Sequence, residues 1–361
     1  MHVDRKRLII TCVVVLILAT LIILQVHSWR KFDWDIVGES LEQLNWWKVL
    51  GAVLLVYVAD GLRAVRWALF LKPVKNVSFW SLLPAQYIGF TGLALLGRPG
   101  EVIRPLVIAR RTGLSFSSQF AVWTVERIFD ISAVTVIVAA DLLFSGTLQT
   151  FTDKQYNIMR ALGAVLIFIV FSLLFFAVSV WRKGEQIALW VERKLNHKPH
   201  LAHRFAAKIR IFSAGLHTIH DVSSFIGIGV LSLAVWLMIA GAYYAVLQSY
   251  ADETVYTMTF VYAIILMAFS VAGGVLQLPV VGGGSQLSTI KALYSLFNTP
   301  QELATSCGIM LWLVTFVSVT PLGLILARVE HVSLRKLGVE SHLQEEQVEE
   351  AAERSGAVDS L

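Results

Sequence analysis

The chain has 361 residues, is 56% hydrophobic and only 15% charged, and has a mean hydropathy of +0.68. A soluble domain carries about a quarter charged residues, so an ordinary soluble fold is excluded. The net charge of +5 comes from basic residues clustered between apolar blocks, a pattern that anchors membrane segments and does not suit nucleic-acid binding; Cys12 and Cys307, both in apolar blocks, offer neither a disulfide framework nor a metal site.

Residues 8–26 form an apolar run behind Asp4-Arg5-Lys6-Arg7. The run is too long for a signal-peptide core and has no small-residue cleavage site, so it reads as an uncleaved first span with a cytoplasmic N-terminus. Residues 29–45 are a polar outside loop, and 46–70 a second span closed on the inside by Lys72 and Lys75. Trp29, Trp46, Trp47, Trp80 and Trp181 stand where apolar blocks end, as interfacial aromatics do. Residues 79–111 are apolar but broken by Pro84, Gly89, Gly92 and Gly97 before GRPGEVIRPLVIARR. Broken backbone at membrane depth needs protein or water around it, so this segment is expected to be a re-entrant hairpin.

Further spans are expected at 118–145 and 157–181. Residues 182–222 form a basic linker in which Phe205, Ile209, Phe212 and Leu216 recur at helical spacing, as in a helix lying on an anionic cytoplasmic leaflet. Spans follow at 223–250 and 255–277. A second broken segment carries Gly273-Gly274, Pro279 and Gly282-Gly283-Gly284, and a last span runs over 303–328. The expected fold is an all-α polytopic membrane protein of about 7–8 transmembrane helices. Two Gly/Pro-broken re-entrant hairpins fall in pseudo-repeated halves: 1–181 and 223–335, joined by the linker 182–222. Residues 336–361 read as an acidic disordered tail. Paired interruptions of this kind point to a transporter's binding site.

Ionisable groups inside a membrane are costly and usually functional. Arg98, Glu101 and Arg104, spaced by three, are expected on one helix face, either as a phosphate seat of two guanidiniums and free helix-start N–H groups or as a cytoplasmic turn whose arginines anchor to headgroups. Glu126 and Asp130, four apart, share a face of the next span beside Arg127, either as an ion pair that fixes packing or as a working pair. Asp60 reads as a salt-bridge partner of Arg63, whereas Arg66, nearer the end of its span, reads as a snorkelling anchor. In the second broken segment Gly283 and Gly284 either start a half-helix, with Gln286 and Lys291 able to meet a headgroup, or make a glycine-rich packing contact between helices. No nucleotide phosphate loop, HExxH motif or nucleophile–base spacing occurs, and no cofactor or metal is expected.

The stretch Arg98-Pro99-Gly100-Glu101-Val102-Ile103-Arg104 and the later Glu126-Arg127-Ile128-Phe129-Asp130 resemble the R-x-G-E-x-x-R and E-R-x-x-D stretches of the lysylphosphatidylglycerol synthase transmembrane domain and its stand-alone, flippase-like relatives. The family's Pro/Gly-rich turn reads here Pro279 to Gly284, with Gln286 standing where the family often has a glutamate. The resemblance covers about residues 8–330 and leaves no room for the synthase's soluble domain, so aminoacylation is not implied and no enzyme activity is expected. It implies movement of an anionic phospholipid or polyprenyl-linked headgroup between leaflets of a bacterial inner membrane. A synthase or glycosyltransferase is the partner it suggests. The alternatives are a membrane-embedded enzyme acting on lipid-linked sugars or headgroups, with Glu101 and Glu126 as an acid/base pair, and a non-catalytic partner of such an enzyme.

Overall fold

The computed structural model describes residues 33–144, 153–195, 199–216, 222–275 and 283–330, with isolated positions near 340–347. The expected first span at 8–26, the turn at 276–282 and almost all of the acidic tail lie outside the described residues. Every described element is helical: α1 (Trp34–Glu42), α2 (Trp46–Leu71), α3 (Phe79–Leu96), α4 (Arg98–Glu101), α5 (Ile103–Thr112), α6 (Phe116–Phe144), α7 (Asp153–Lys194) and α8 (Pro199–Leu216). They are followed by α9 (Val222–Leu247), α10 (Glu253–Tyr256), α11 (Phe260–Val275), α12 (Gly283–Leu296), α13 (Gln301–Trp312), a π-helical turn Leu313–Val317, and α14 (Thr320–Val329). Among these, Phe79–Leu96, Ser223–Leu247 and Gln301–Val329 are long and apolar enough to cross a membrane. α2 and α6 are longer than α3 but carry buried charges.

Two apolar clusters stack end to end along the helices. One gathers Trp67, Phe70, Leu71, Ile103, Ile108, Phe120, Val125, Val180, Phe212 and Ile228. The other gathers Leu44, Val49, Val138, Leu142, Tyr243, Leu247, Leu266, Leu293, Leu303 and Leu311. Residues that touch the first define one end of the molecule, and the second defines the other.

The segment 79–112 is an antiparallel hairpin whose arms are α3 and α4–α5. Gly97 turns the chain at φ +68°, a conformation open to glycine, while its N–H still caps the carbonyl of Leu93 at 2.9 Å. Gly100 lies backbone-to-backbone against Gly92, and any Cβ there would run into the Gly92 carbonyl. At the open end Lys75 Nζ donates to the Thr112 carbonyl at 2.6 Å, so the hairpin leaves on the side where it entered. Gly100→Ala is expected to lower thermal stability in detergent by about 1–3 kcal/mol, because backbone cannot step aside as a flexible side chain can.

A second hairpin pairs α11 with α12 and opens at the opposite end. Tyr262 and Phe297 meet there edge to face with ring centroids 4.8 Å apart, and Gln248 Nε2 donates to the Met258 carbonyl at 3.1 Å. The segment expected as a full span at 255–277 is therefore the first arm of this hairpin. Its described residues form a short α10 and the 16-residue α11, about 24 Å at 1.5 Å per residue. The last helix serves both hairpins. α13 packs on α12 where Gly308 faces Ile290, and α14 packs on α3 where Gly323 faces Thr91 and the Tyr87 carbonyl. Between them the π turn separates the two halves, and Tyr57 donates to the Ser318 carbonyl at 2.9 Å.

The first end carries Lys72, Lys75, Arg110, Arg111, Arg182, Lys183 and Arg328; the second carries Asp33, Asp35, Glu39, Glu42, Asp252, Glu253 and Glu302. Glu330 pairs with Arg111 and Glu340 with Arg110, which brings the end of α14 to the basic side. There α7 breaks at Lys183 (φ −137°, ψ 28°), and its last turns pair with α8. The apolar face of α8 is used differently from the free leaflet contact expected. Phe212, Ala206 and Ala207 are buried and Ile209 packs on the first cluster, while Phe205 and Trp190 are exposed.

Arg210 grips Glu185 with Nε and Nη2, at 3.1 and 2.8 Å, and Glu192 with Nη1 at 2.9 Å. The Arg210 hydrogen bond holds the Glu185 carboxyl below its ordinary range. A depressed carboxyl contributes stability at neutral pH that is lost as pH falls through its lowered value. Limited proteolysis should therefore find the α7–α8 junction protected at pH 7 and loosened below about pH 4. Arg210→Gln should loosen it already at pH 7.

Candidate functional site

Helical spacing sets one face of α2 with Asp60, Arg63, Arg66 and Trp67, all buried. α6 presents Glu126, Arg127 and Asp130, and α5 brings Arg104 from the returning arm of the first hairpin. Along α2, α6 and α9 the groups Asp60, Arg63, Glu126, Asp130 and Ser232 fall between the residues of one apolar cluster and those of the other. The charges thus occupy the middle of the bundle.

Arg66 is the hub and is fully enclosed, with 0% exposure. Its Nη2 donates to Glu126 Oε1 at 2.5 Å, and its Nη1 to Asp130 Oδ1 and Ser232 Oγ, both at 2.7 Å. Arg104 donates through Nη2 to Glu126 Oε2 and through Nη1 to Glu126 Oε1 at 3.4 Å. Arg127 reaches Asp130 Oδ2 at 3.2 Å and Glu126 Oε2 at 3.8 Å. Trp236 Nε1 completes Asp130 at 3.2 Å. All four carboxylate oxygens are therefore taken.

Donors remain. Nε of Arg63, Arg66 and Arg127 and Nε2 of Gln86 are buried with no acceptor among the described residues. Aromatic faces line the guanidiniums: Trp67 4.7 Å from Arg104, Phe90 4.9 Å from Arg63, and Trp123 5.9 Å from Arg127. Beside the network a small, open cleft is lined by Gly89, Phe90, Leu93, Glu101, Arg104, Trp123 and Arg127. Ile131, one turn from Arg127 on the same face of α6, and Leu95, at the hairpin tip, are each 55% exposed. The cleft is flanked by apolar surface of the kind lipid covers. Arg127, whose Nε is unpaired, lines the cleft and suits a ligand rich in oxygen acceptors such as a phosphate, with the Glu101 carboxylate in the same wall.

Half of the candidate binding residues read from the sequence meet here. Glu101, Arg104, Glu126, Arg127 and Asp130 converge on the cleft or its wall. Arg98 ends at the hairpin turn, and its side chain lies outside the described residues. Residues 98–101 make a single turn and α5 begins afresh at Ile103, so the expected continuous helix face from Arg98 to Arg104 is interrupted at Val102. Gly283, Gly284, Gln286 and Lys291 lie on α12 of the other hairpin, and none lines the cleft. Gly284 is a packing position against Gly273, and Lys291 is exposed. Arg66 is not a snorkelling anchor, since α6 and α9 cover it. Asp60 and Arg63 pair as expected at 2.7 Å. Gln86, Phe90, Trp123 and Trp236 were not singled out. For Gln86 and Trp236 the available signal was a polar or tryptophan side chain far from the ends of an apolar run.

The profile of the family described as Lysylphosphatidylglycerol synthase TM region matches residues 8–323. The chain is 23% identical over 289 residues to a UPF0104 membrane protein of Methanothermobacter thermautotrophicus, an alignment covering 77% of this chain and 82% of that relative. No solved structure matches it.

Proposed function

This chain belongs to the lysylphosphatidylglycerol synthase transmembrane-region family, and from that membership we propose that it moves an anionic lipid, or a lipid-linked anionic headgroup, between membrane leaflets. The observation that carries the reading is the mid-bundle cleft, where Arg104 and Arg127 face apolar flanks and nearby donors lack acceptors. A headgroup there would meet guanidiniums while its acyl chains stayed in hydrocarbon. In this reading the chain crosses the membrane about seven or eight times, and both hairpins are re-entrant, from opposite sides. The basic end faces the cytoplasm of a bacterial inner membrane. The C-terminus of α14 shares that side, through the Arg111–Glu330 pair. The arginines on both oxygens of Glu126 disfavour the alternative acid/base enzyme, which needs that group free. A synthase or glycosyltransferase that makes the lipid is the partner this role calls for.

Liposomes containing the protein should move fluorescent phosphatidylglycerol at least about tenfold faster than fluorescent phosphatidylcholine, the size of one charge-assisted hydrogen bond. Equal rates for the two lipids, or rates no higher than in protein-free liposomes, would count against the proposal. Glu101 lines the same cleft and has no ion-pair partner among the described residues. It repels an anion and keeps release possible, so Glu101→Gln is expected to tighten binding of dioctanoylphosphatidylglycerol several-fold in a detergent titration.

A further inference from the structure

Arg63 and Arg104 are built alike. Arg104 has its guanidinium on Glu126 and lies near the rings of Trp67 and Phe90, at 4.7 and 5.7 Å. Arg63 has its guanidinium on Asp60 at 2.7 Å and lies near the rings of Phe90 and Trp236, at 4.9 and 5.7 Å. The ring of Phe90 backs both. They differ in access: Arg104 and Phe90 line the cleft, and Arg63 does not. Arg63 is 8% exposed and its Nε has no acceptor among the described residues; Gln86 is 1% exposed and its Nε2 likewise has none. Gln86 precedes Phe90 by four residues on α3, so the two share a face. Buried donors left unpaired are costly, and an oxyanion supplies acceptors without adding donors.

We propose that Arg63 and Gln86 form a second, inner station for the phosphodiester of a lipid headgroup, entered from the cleft when the Phe90 ring turns aside. The proposal rests on the cleft being a lipid-headgroup site, and it makes that cleft the outer of two stations. Asp60 and Glu126 each offset part of their arginine's charge, so neither station holds the anion too tightly for it to pass on. Multi-site, moderate binding of this kind is what permits passage through a membrane.

The test uses the full chain in phosphatidylcholine liposomes with a trace of fluorescent phosphatidylglycerol. Arg63→Gln should slow movement at least about tenfold, while dioctanoylphosphatidylglycerol still protects a cysteine placed at Leu93 in the cleft. The paired variant Asp60→Asn/Arg63→Gln leaves no lone buried charge and should fold, yet stay equally slow. Wild-type speed in either variant overturns the inner station and leaves the cleft reading standing. No lipid protection or movement by the unaltered protein overturns both. Binding of inorganic phosphate that depends on Arg63, without any effect of Arg63→Gln on lipid movement, would make this a free-phosphate site and overturn the lipid assignment.

Discussion

Glu126→Gln should cost the protein about 3–5 kcal/mol, the usual penalty for removing one partner of a buried ion pair. Glutamine fills the same volume but offers one acceptor oxygen where the carboxylate offers two. Arg66 and Arg104 now share Glu126, and Arg127 approaches it. With an amide –NH₂ at one of those positions, donor would face donor among guanidiniums that are almost wholly enclosed. Differential thermal unfolding in detergent, with fluorescence-detected size exclusion for the folded fraction, measures the loss. The double variant Glu126→Gln/Arg104→Met should recover part of it, since the two sites are directly coupled. A single variant within about 1 kcal/mol of the wild type would mean that the network does not hold these helices together.

Arg127→Gln should do the reverse. The Arg127 side chain is 37% exposed and holds its two acids at 3.2 and 3.8 Å, while Arg66 keeps both engaged. A partly exposed pair of this kind is worth about 0–1 kcal/mol, so thermal unfolding should hardly change. Movement of phosphatidylglycerol should fall about tenfold or more, because the cleft loses the guanidinium most open to a headgroup. Together the two variants separate the enclosed arginines that hold the bundle from the one that faces a ligand. A large loss of stability in Arg127→Gln, or unchanged lipid movement, would erase that division.

The helices α2, α6 and α9 were legible because long apolar runs end at charges and tryptophans, and the first hairpin because Pro84, Gly89, Gly92 and Gly97 break an apolar run. The Glu126–Asp130 face and the Asp60–Arg63 pair followed from spacings of four and three. What failed was depth. Arg66 stands five residues from the end of α2, and distance to a helix end says nothing about what covers it; α6 and α9 do. The 255–277 run is as apolar as a span, but only its contacts with α12 reveal an arm that returns. The roles of Gln86 and Phe90 were not legible for a related reason. Their importance depends on Arg63 and Arg104, which approach from two other helices.

The most direct test is thiol accessibility in the cleft. In a variant with Cys12 and Cys307 replaced by alanine, a cysteine at Leu93 should react with a charged, membrane-impermeant reagent far more slowly than one at the exposed Lys208. Dioctanoylphosphatidylglycerol should slow it further, whereas dioctanoylphosphatidylcholine should not. Labelling at 93 as fast as at 208, and indifferent to the anionic lipid, would contradict a headgroup site at membrane depth.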